Sequence, residues 1–155
     1  MTRRAAAGFY YCNTPIHETD VEVELLASAV RAAGGAGVEV ASDLIEQARA
    51  LMFVLNVAAN VVPTTLDVVV QAKVGNLWFN LFRFTQIGAA TPIKAGTVKR
   101  LATTGSTVEV DLAVDPAVGT GFANNEKAEW LGALRVKWAI VGTSYTFGVT
   151  CYPIR

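Results

Sequence analysis

From Val21 onward the chain alternates. Val21, Val23 and Leu25 are interleaved with Glu22 and Glu24, the period-two spacing of a half-buried strand. Leu51, Phe53, Leu55 and Val57 share one face of a strand over 51–58. In 65–74, Leu66, Val68, Val70 and Ala72 point one way, and Asp67, Val69, Gln71 and Lys73 the other. Gly75-Asn76 then supplies the positive φ that a tight hairpin needs. A return strand over 77–84 follows, with Trp78, Phe79, Phe82 and Phe84 on both its faces. Aromatics on both faces place one in a core and the other under a partner. Pro92 to Thr103 reads as extended, with Pro92 and Gly96 favouring an edge or a bend. Val108, Val110, Leu112 and Val114 alternate with Glu109, Asp111 and Ala113 until Asp115-Pro116, and 117–126 is a Gly/Asn-rich loop. Leu134, Val136, Trp138 and Ile140 form one face of a further strand. Gly142-Thr143 turns the chain, and Tyr145, Phe147, Val149 and Cys151 form one face of the last strand.

Two short regions break the alternation. Ala32 to Gly37 is a Gly-rich turn before a short strand over 38–41. Ser42 to Arg49 is ambiguous, since Ser42 can cap a helical turn containing Leu44, Ile45 and Ala48. The expected architecture is all-β: a two-sheet, jelly-roll-like sandwich of about eight or nine short strands over 21–155. Residues 1–20 stand apart as an extended N-terminal arm. They lack sustained periodicity but hold Phe9-Tyr10-Tyr11, and disordered tails are poor in aromatics. The arm orders either against a neighbouring subunit or against its own domain.

Composition sharpens this picture. Hydrophobic residues make up 52% of the 155 and charged residues only 17%, against a typical ~25% charged. Either the core is large or part of the surface is covered by another chain, since interface cores are depleted of charge. Lys plus Arg and Asp plus Glu are 13 each. A chain of zero net charge has no long-range field to collect nucleic acid or an anionic membrane, so neither is expected as a partner. The longest apolar stretch, Ala50 to Val62, is interrupted by Asn56 and Asn60 and stops at Pro63. It is short of the ~20 apolar residues of a membrane helix. Arg3-Arg4 is followed by no long apolar run, so no signal peptide is expected. Without an export signal, Cys12 and Cys151 are expected as free thiols, with Cys151 a small core residue.

Chemistry-bearing patterns are sparse. His17 is the single histidine, so no His-rich zinc site is possible, and nothing near it resembles a nucleophile elbow. Glu22 with Glu24, and Glu109 with Asp111, each share a strand face. Such pairs can hold a cation or act on glycosides, and they are also what any solvent face of a strand looks like. Gly119-Thr120-Gly121 is too short for a nucleotide loop. Trp78, Trp130 and Trp138 could stack on sugar rings. Trp138 lies in a core register; Trp130 follows the polar stretch Asn124-Asn125-Glu126-Lys127, which allows exposure, but burial in the sandwich or in a subunit contact is the leading expectation. No catalytic residue, cofactor, metal or small-molecule substrate is expected. The candidate protein-interface residues are Phe9, Tyr10, Tyr11, Phe79, Phe122 and Trp130.

The order of these features resembles the small β-sandwich structural proteins of tailed bacteriophage virions. The matching pieces are Leu26-Ala27-Ser28-Ala29-Val30-Arg31, Phe53-Val54-Leu55-Asn56-Val57, Thr65 to Gln71, Trp78 to Gln86 and Leu134-Arg135-Val136-Lys137-Trp138. The most characteristic is the ending Gly142-Thr143-Ser144-Tyr145-Thr146-Phe147-Gly148-Val149-Thr150. The resemblance spans about Glu22 to Cys151. It departs at Gly75-Asn76-Leu77, where relatives often carry an Asp-Asp-Gly-type turn, and over 92–129, which is longer than usual. It implies a virion component. The leading expectation is a head decoration (cement) protein on the outer capsid surface, assembled in the host cytoplasm. Its partners would be the major capsid protein and copies of itself, as a trimer or other small ring. The alternatives are a tail, neck or baseplate component, or a carbohydrate-binding module on a fibre or spike.

Overall fold

A computed structural model describes residues 21–100 and 127–155. Within them the elements run β1 (Val23–Arg31), β2 (Gly35–Ala36), β3 (Val40–Ala41), α1 (Asp43–Gln47), β4 (Ala50–Val74), β5 (Leu77–Arg83), β6 (Ile93–Arg100), β7 (Lys127–Ala128) and β8 (Ala133–Ile154). The described residues are all-β, as the alternation predicts, with one short helix among them. The expected strand over 107–114, the loop over 117–126 and the N-terminal arm lie outside the described residues.

Two strands dominate. β4 has 25 residues and β8 has 22, several times the usual strand length of about 5–6. Each fuses two segments that the sequence pattern separates, and this corrects the expectation of uniformly short strands. Pro63 and Gly142, which read as terminators, lie opposite each other in the β4–β8 ladder. Register shifts between Val57 and Ala59 and between Pro63 and Thr65 absorb the missing proline N–H. The ribbon then bends at Val62 (φ 41°) and Gly142 (φ 116°). A Cβ on Gly142 would sit 2.5 Å from the Val62 carbonyl oxygen and 2.8 Å from the Thr64 nitrogen, so only glycine fits there.

The bend divides the sheet. Before it, the first half of β4 pairs with β6, and the second half of β8 pairs with β1. Beyond it, the second half of β4 pairs with β5, and the first half of β8 pairs with β2 and β3. All pairings are antiparallel except the short β6–β7 contact. Hydrogen bonds therefore join the described strands into one sheet, where two separate sheets were expected. The halves nevertheless meet. A Cβ on Gly96 of β6 would lie 2.1 Å from Cζ of Phe82 on β5, and Phe82 is 5.7 Å from Phe53 of β4.

The shared core is the one the alternation marks. Leu51, Phe53, Leu55, Val57, Leu66, Val68, Val70, Leu134, Val136, Tyr145, Phe147, Val149 and Cys151 are all buried. Each large apolar side chain removed from water stabilises the fold by about 1.5–3 kcal/mol before ordering costs. Opposite this core, the second half of β4 buries polar groups too. Gln71 donates through Nε2 to Asn80 Oδ1 at 2.9 Å and accepts from Arg135 Nε at 2.7 Å, while Asp67 accepts from Arg83 at 3.0 Å and from Gln86 at 2.9 Å.

Both ends of the folded ribbon meet at α1. Ser42 is its N-cap, its hydroxyl accepting from the Leu44 N–H at 3.2 Å, so the ambiguous stretch after Ala41 resolves as a short helix. At the other end of α1, Trp130 Nε1 donates to the Ile45 carbonyl at 2.7 Å. Arg100 donates through Nε to the Ala48 carbonyl at 2.7 Å, through Nη1 to the Trp130 carbonyl at 2.8 Å, and through Nη2 to the Glu46 carbonyl. Its guanidinium also stacks 4.2 Å from the Trp130 ring centroid. One cation and one indole thus satisfy the carbonyls that a short helix leaves open.

Candidate interaction surface

The end of the molecule away from α1 is built from three segments. The ribbon bend supplies 57–66 and 139–144, with Val61 opposite Ser144, Pro63 opposite Gly142 and Thr65 opposite Val141. The third segment, 87–93, is fastened across them. Leu66 and Ile87 exchange backbone hydrogen bonds of 2.8 and 3.0 Å, and the Val57 N–H donates to the Pro92 carbonyl at 3.0 Å. The side chain of Asn60 donates to the Ala89 carbonyl at 2.8 Å, and the buried Tyr145 donates its hydroxyl to the Gly88 carbonyl at 3.0 Å. The connection after β5 is therefore pinned at four points.

This tip is apolar and uncharged. None of residues 57–66, 87–93 and 139–144 is Asp, Glu, Lys or Arg; charges resume at Asp67, Lys94 and Lys137. Val61, Val62, Ile93 and Val141 are exposed to 55, 72, 71 and 57%. Single exposed valines are ordinary; four exposed apolar side chains on three charge-free segments at one end make this tip a candidate contact surface. Val62 adds a second feature, because a β-branched side chain at positive φ is a backbone outlier costing about 1–3 kcal/mol.

The sheet edge at β1 is blunted. Register shifts between Glu24 and Leu26 and between Leu26 and Ala29 bulge the strand away from β8. Gly148 permits the close approach, since a Cβ there would lie 2.9 Å from the Ser28 nitrogen. Arg31 fills the bulge, donating to the carbonyls of Ala27 (2.8 Å), Ala29 (3.0 Å) and Phe147 (2.6 Å) with its guanidinium 4.8 Å from the Phe147 ring centroid and 5.1 Å from that of Trp138. Bulges and a charged plug are the usual defences of an edge against strand addition.

The residues singled out by sequence fall in different places. Phe9, Tyr10, Tyr11, Phe122, Cys12 and His17 lie outside the described residues. Phe79 is half-buried on β5, opposite Ala72 of β4. Trp130 is buried, the reading favoured over exposure, and at 1% it is covered within its own chain, so it leaves the set of candidate interface residues and its ring offers no surface to a sugar. Trp78 is half-buried with Arg135 and Lys73 4.4 and 5.7 Å from its ring centroid. Glu22 accepts from the Tyr152 hydroxyl at 3.0 Å, which raises the tyrosine pKa, and no cluster of metal-ligating side chains occurs among the described residues. Cys151 is free and buried, and burial pushes its thiol pKa up to about 12. An open cleft of about 350 Å³ lies beside Ser42, Asp43, Glu46 and Leu131. Its one cation, Lys73, is paired with Glu39 at 2.8 Å.

The tip was the feature that sequence reading missed. A search for charge-free windows would have found its three segments, although not that they converge. No family model, curated protein or solved structure matches the chain.

Proposed function

We propose that this chain is a bacteriophage virion structural protein, a capsid decoration subunit that stabilises the head through contacts with the major capsid protein and with copies of itself. The observation that carries the reading is the uncharged apolar tip, whose Val61, Val62, Ile93 and Val141 are exposed among the described residues. The sequence resemblance supports it through residues with structural duties. In the ending 142–150, Gly142 makes the bend, Tyr145 pins the tip and Gly148 admits the β1 bulge. In architecture we read the doubled sheet as a jelly-roll-like sandwich, with residues 1–20 as a tether to neighbouring subunits. Each contact would be weak. Many copies on one shell would resist internal pressure by multivalency.

The test is binding of the purified full chain to bare, expanded heads, followed by sedimentation of the shells. Saturable binding at a fixed ratio to the capsid protein is expected, as is a higher temperature of shell disruption. Absence of saturable binding removes the decoration reading. Binding to purified tails instead moves the subunit to the tail or neck. Deleting residues 1–20 is expected to weaken shell binding while leaving the circular dichroism spectrum unchanged.

A further inference from the structure

We propose that the tip of the β4–β8 ribbon is the contact between copies of this chain around a rotation axis. The inference rests on the virion-subunit reading and names the occupant of its open surface. Near a symmetry axis every group faces its own copy. A charged side chain there meets an identical charge, and like charges brought together out of water repel strongly. An uncharged apolar surface meets no such penalty and is complementary to itself. The three segments at the tip meet that condition, with no Asp, Glu, Lys or Arg in 57–66, 87–93 or 139–144, although charged residues surround the opposite end at Glu39, Asp43, Glu46, Lys73, Arg100 and Glu129. A nucleic acid or an anionic lipid surface would call for Lys or Arg at the contact, and the tip has none.

Rigidity points the same way. The loop 87–93 is fixed to the bend through Asn60, Tyr145, Val57 and Leu66, so Val61, Val62, Ile93 and Val141 are presented in a set arrangement. A preformed surface avoids the ordering cost that weakens flexible contacts. Val62 holds an exposed branched side chain at φ 41°, where glycine or asparagine would sit without strain. A contact that uses the valine side chain accounts for that choice of residue.

The experiment is analytical ultracentrifugation of the full chain over a hundredfold range of concentration, beside the variants Val141→Asp, Val61→Asp and Val38→Asp. Val38 is 80% exposed and lies outside the tip, so it controls for surface charge as such. The wild type and Val38→Asp are expected to form one discrete oligomer. Val141→Asp and Val61→Asp are each expected to raise its dissociation constant by about a hundredfold or more with unchanged circular dichroism. The two tip variants keep the test open if one of them misfolds. A wild type that is monomeric throughout, or tip variants that keep the wild-type mass, overturn the proposal. Head binding, run in parallel, separates it from the reading on which it rests. A monomeric chain that still binds shells refutes the tip contact alone. Tip variants that keep the oligomer and lose the shell reassign the tip to the capsid protein.

Discussion

Gly96→Ala tests whether the two halves of the sheet truly face each other. Gly96 lies on β6, which pairs with the first half of β4; Phe82 lies on β5, which pairs with the second half. The two meet only because the ribbon doubles over. The added methyl group would fall 2.1, 2.6 and 3.2 Å from Cζ, Cε1 and Cε2 of Phe82. The ring has little freedom to retreat, being 4.9 Å from Phe84 in an edge-to-face arrangement and 5.7 Å from Phe53. Moving it by more than an ångström forces it off its rotamer or shifts a strand, at about 1–3 kcal/mol. Replacing glycine in a strand returns about 0.5–1 kcal/mol through the unfolded chain. The net expectation is a loss of about 1–2 kcal/mol, read by urea denaturation at a fixed protein concentration, because assembly would add its own stabilisation. A second variant, Phe82→Leu, removes the obstructing ring atoms. Combined with Gly96→Ala, it should cost less than the sum of the two single changes by about 1 kcal/mol or more. If the sheet did not double over, Gly96→Ala would be neutral or stabilising and the two changes would add. Either result would refute the packing described above.

Three further outcomes follow from the same structure. Arg100→Lys should cost about 2 kcal/mol, because one ammonium cannot serve the carbonyls of Glu46, Ala48 and Trp130 or stack on the indole; a urea midpoint equal to wild type would contradict this. Val62→Gly should stabilise the isolated subunit by up to about 1 kcal/mol, by relieving its positive φ, and a clear loss of stability would show that the backbone there is unstrained. The buried Cys151 thiol keeps its proton in the folded chain after the unfolded chain has lost it. Stability should therefore fall as pH rises from about 9 towards 12, by up to about 1.4 kcal/mol per pH unit, with Tyr145, also raised by burial, contributing in the same sense. Urea melts between pH 8 and 11 check this, and Cys151→Ala should flatten the first part of the decline.

Much of this fold is legible in the sequence because period-two alternation is a local signal. Leu51 to Val57, Leu66 to Ala72 and Tyr145 to Cys151 are buried on the faces that the pattern marks. Length of strand is a different matter. Pro63 and Gly142 each read as a terminator when only their own segment is considered, and only their position opposite each other turns two breaks into one shared bend. For Trp130 burial is the favoured reading of the sequence, but where it is buried is not legible, because the carbonyl that its indole needs belongs to Ile45, distant in the chain. Arg31 and Arg100 look like solvated surface charges, yet they satisfy backbone carbonyls that a bulge and a short helix leave open. Such roles depend on which carbonyls lack a partner, and that is settled by tertiary pairing.

On the proposed reading, the distribution of duties along the ribbon bears on how an assembly subunit is made stable. Its fold must hold before any partner arrives, yet its contact surface must stay open and apolar until then. Apolar area left in water and a residue at positive φ both count against the isolated subunit. Here the residue at positive φ and the charge-free part of that apolar area fall at one end. At the other, the Arg49 N–H donates to the Ile154 carbonyl at 2.9 Å and the Ser42 N–H to the Gly132 carbonyl at 2.9 Å, so α1 and its flanks tie both ends of the doubled ribbon together. Arg100 and Trp130 complete that closure. The exposed side chains of the tip therefore need not contribute stability of their own. Its side chains are free to be chosen for what they meet, and this separation is why charges at Val61 or Val141 are expected to abolish assembly while leaving the fold intact.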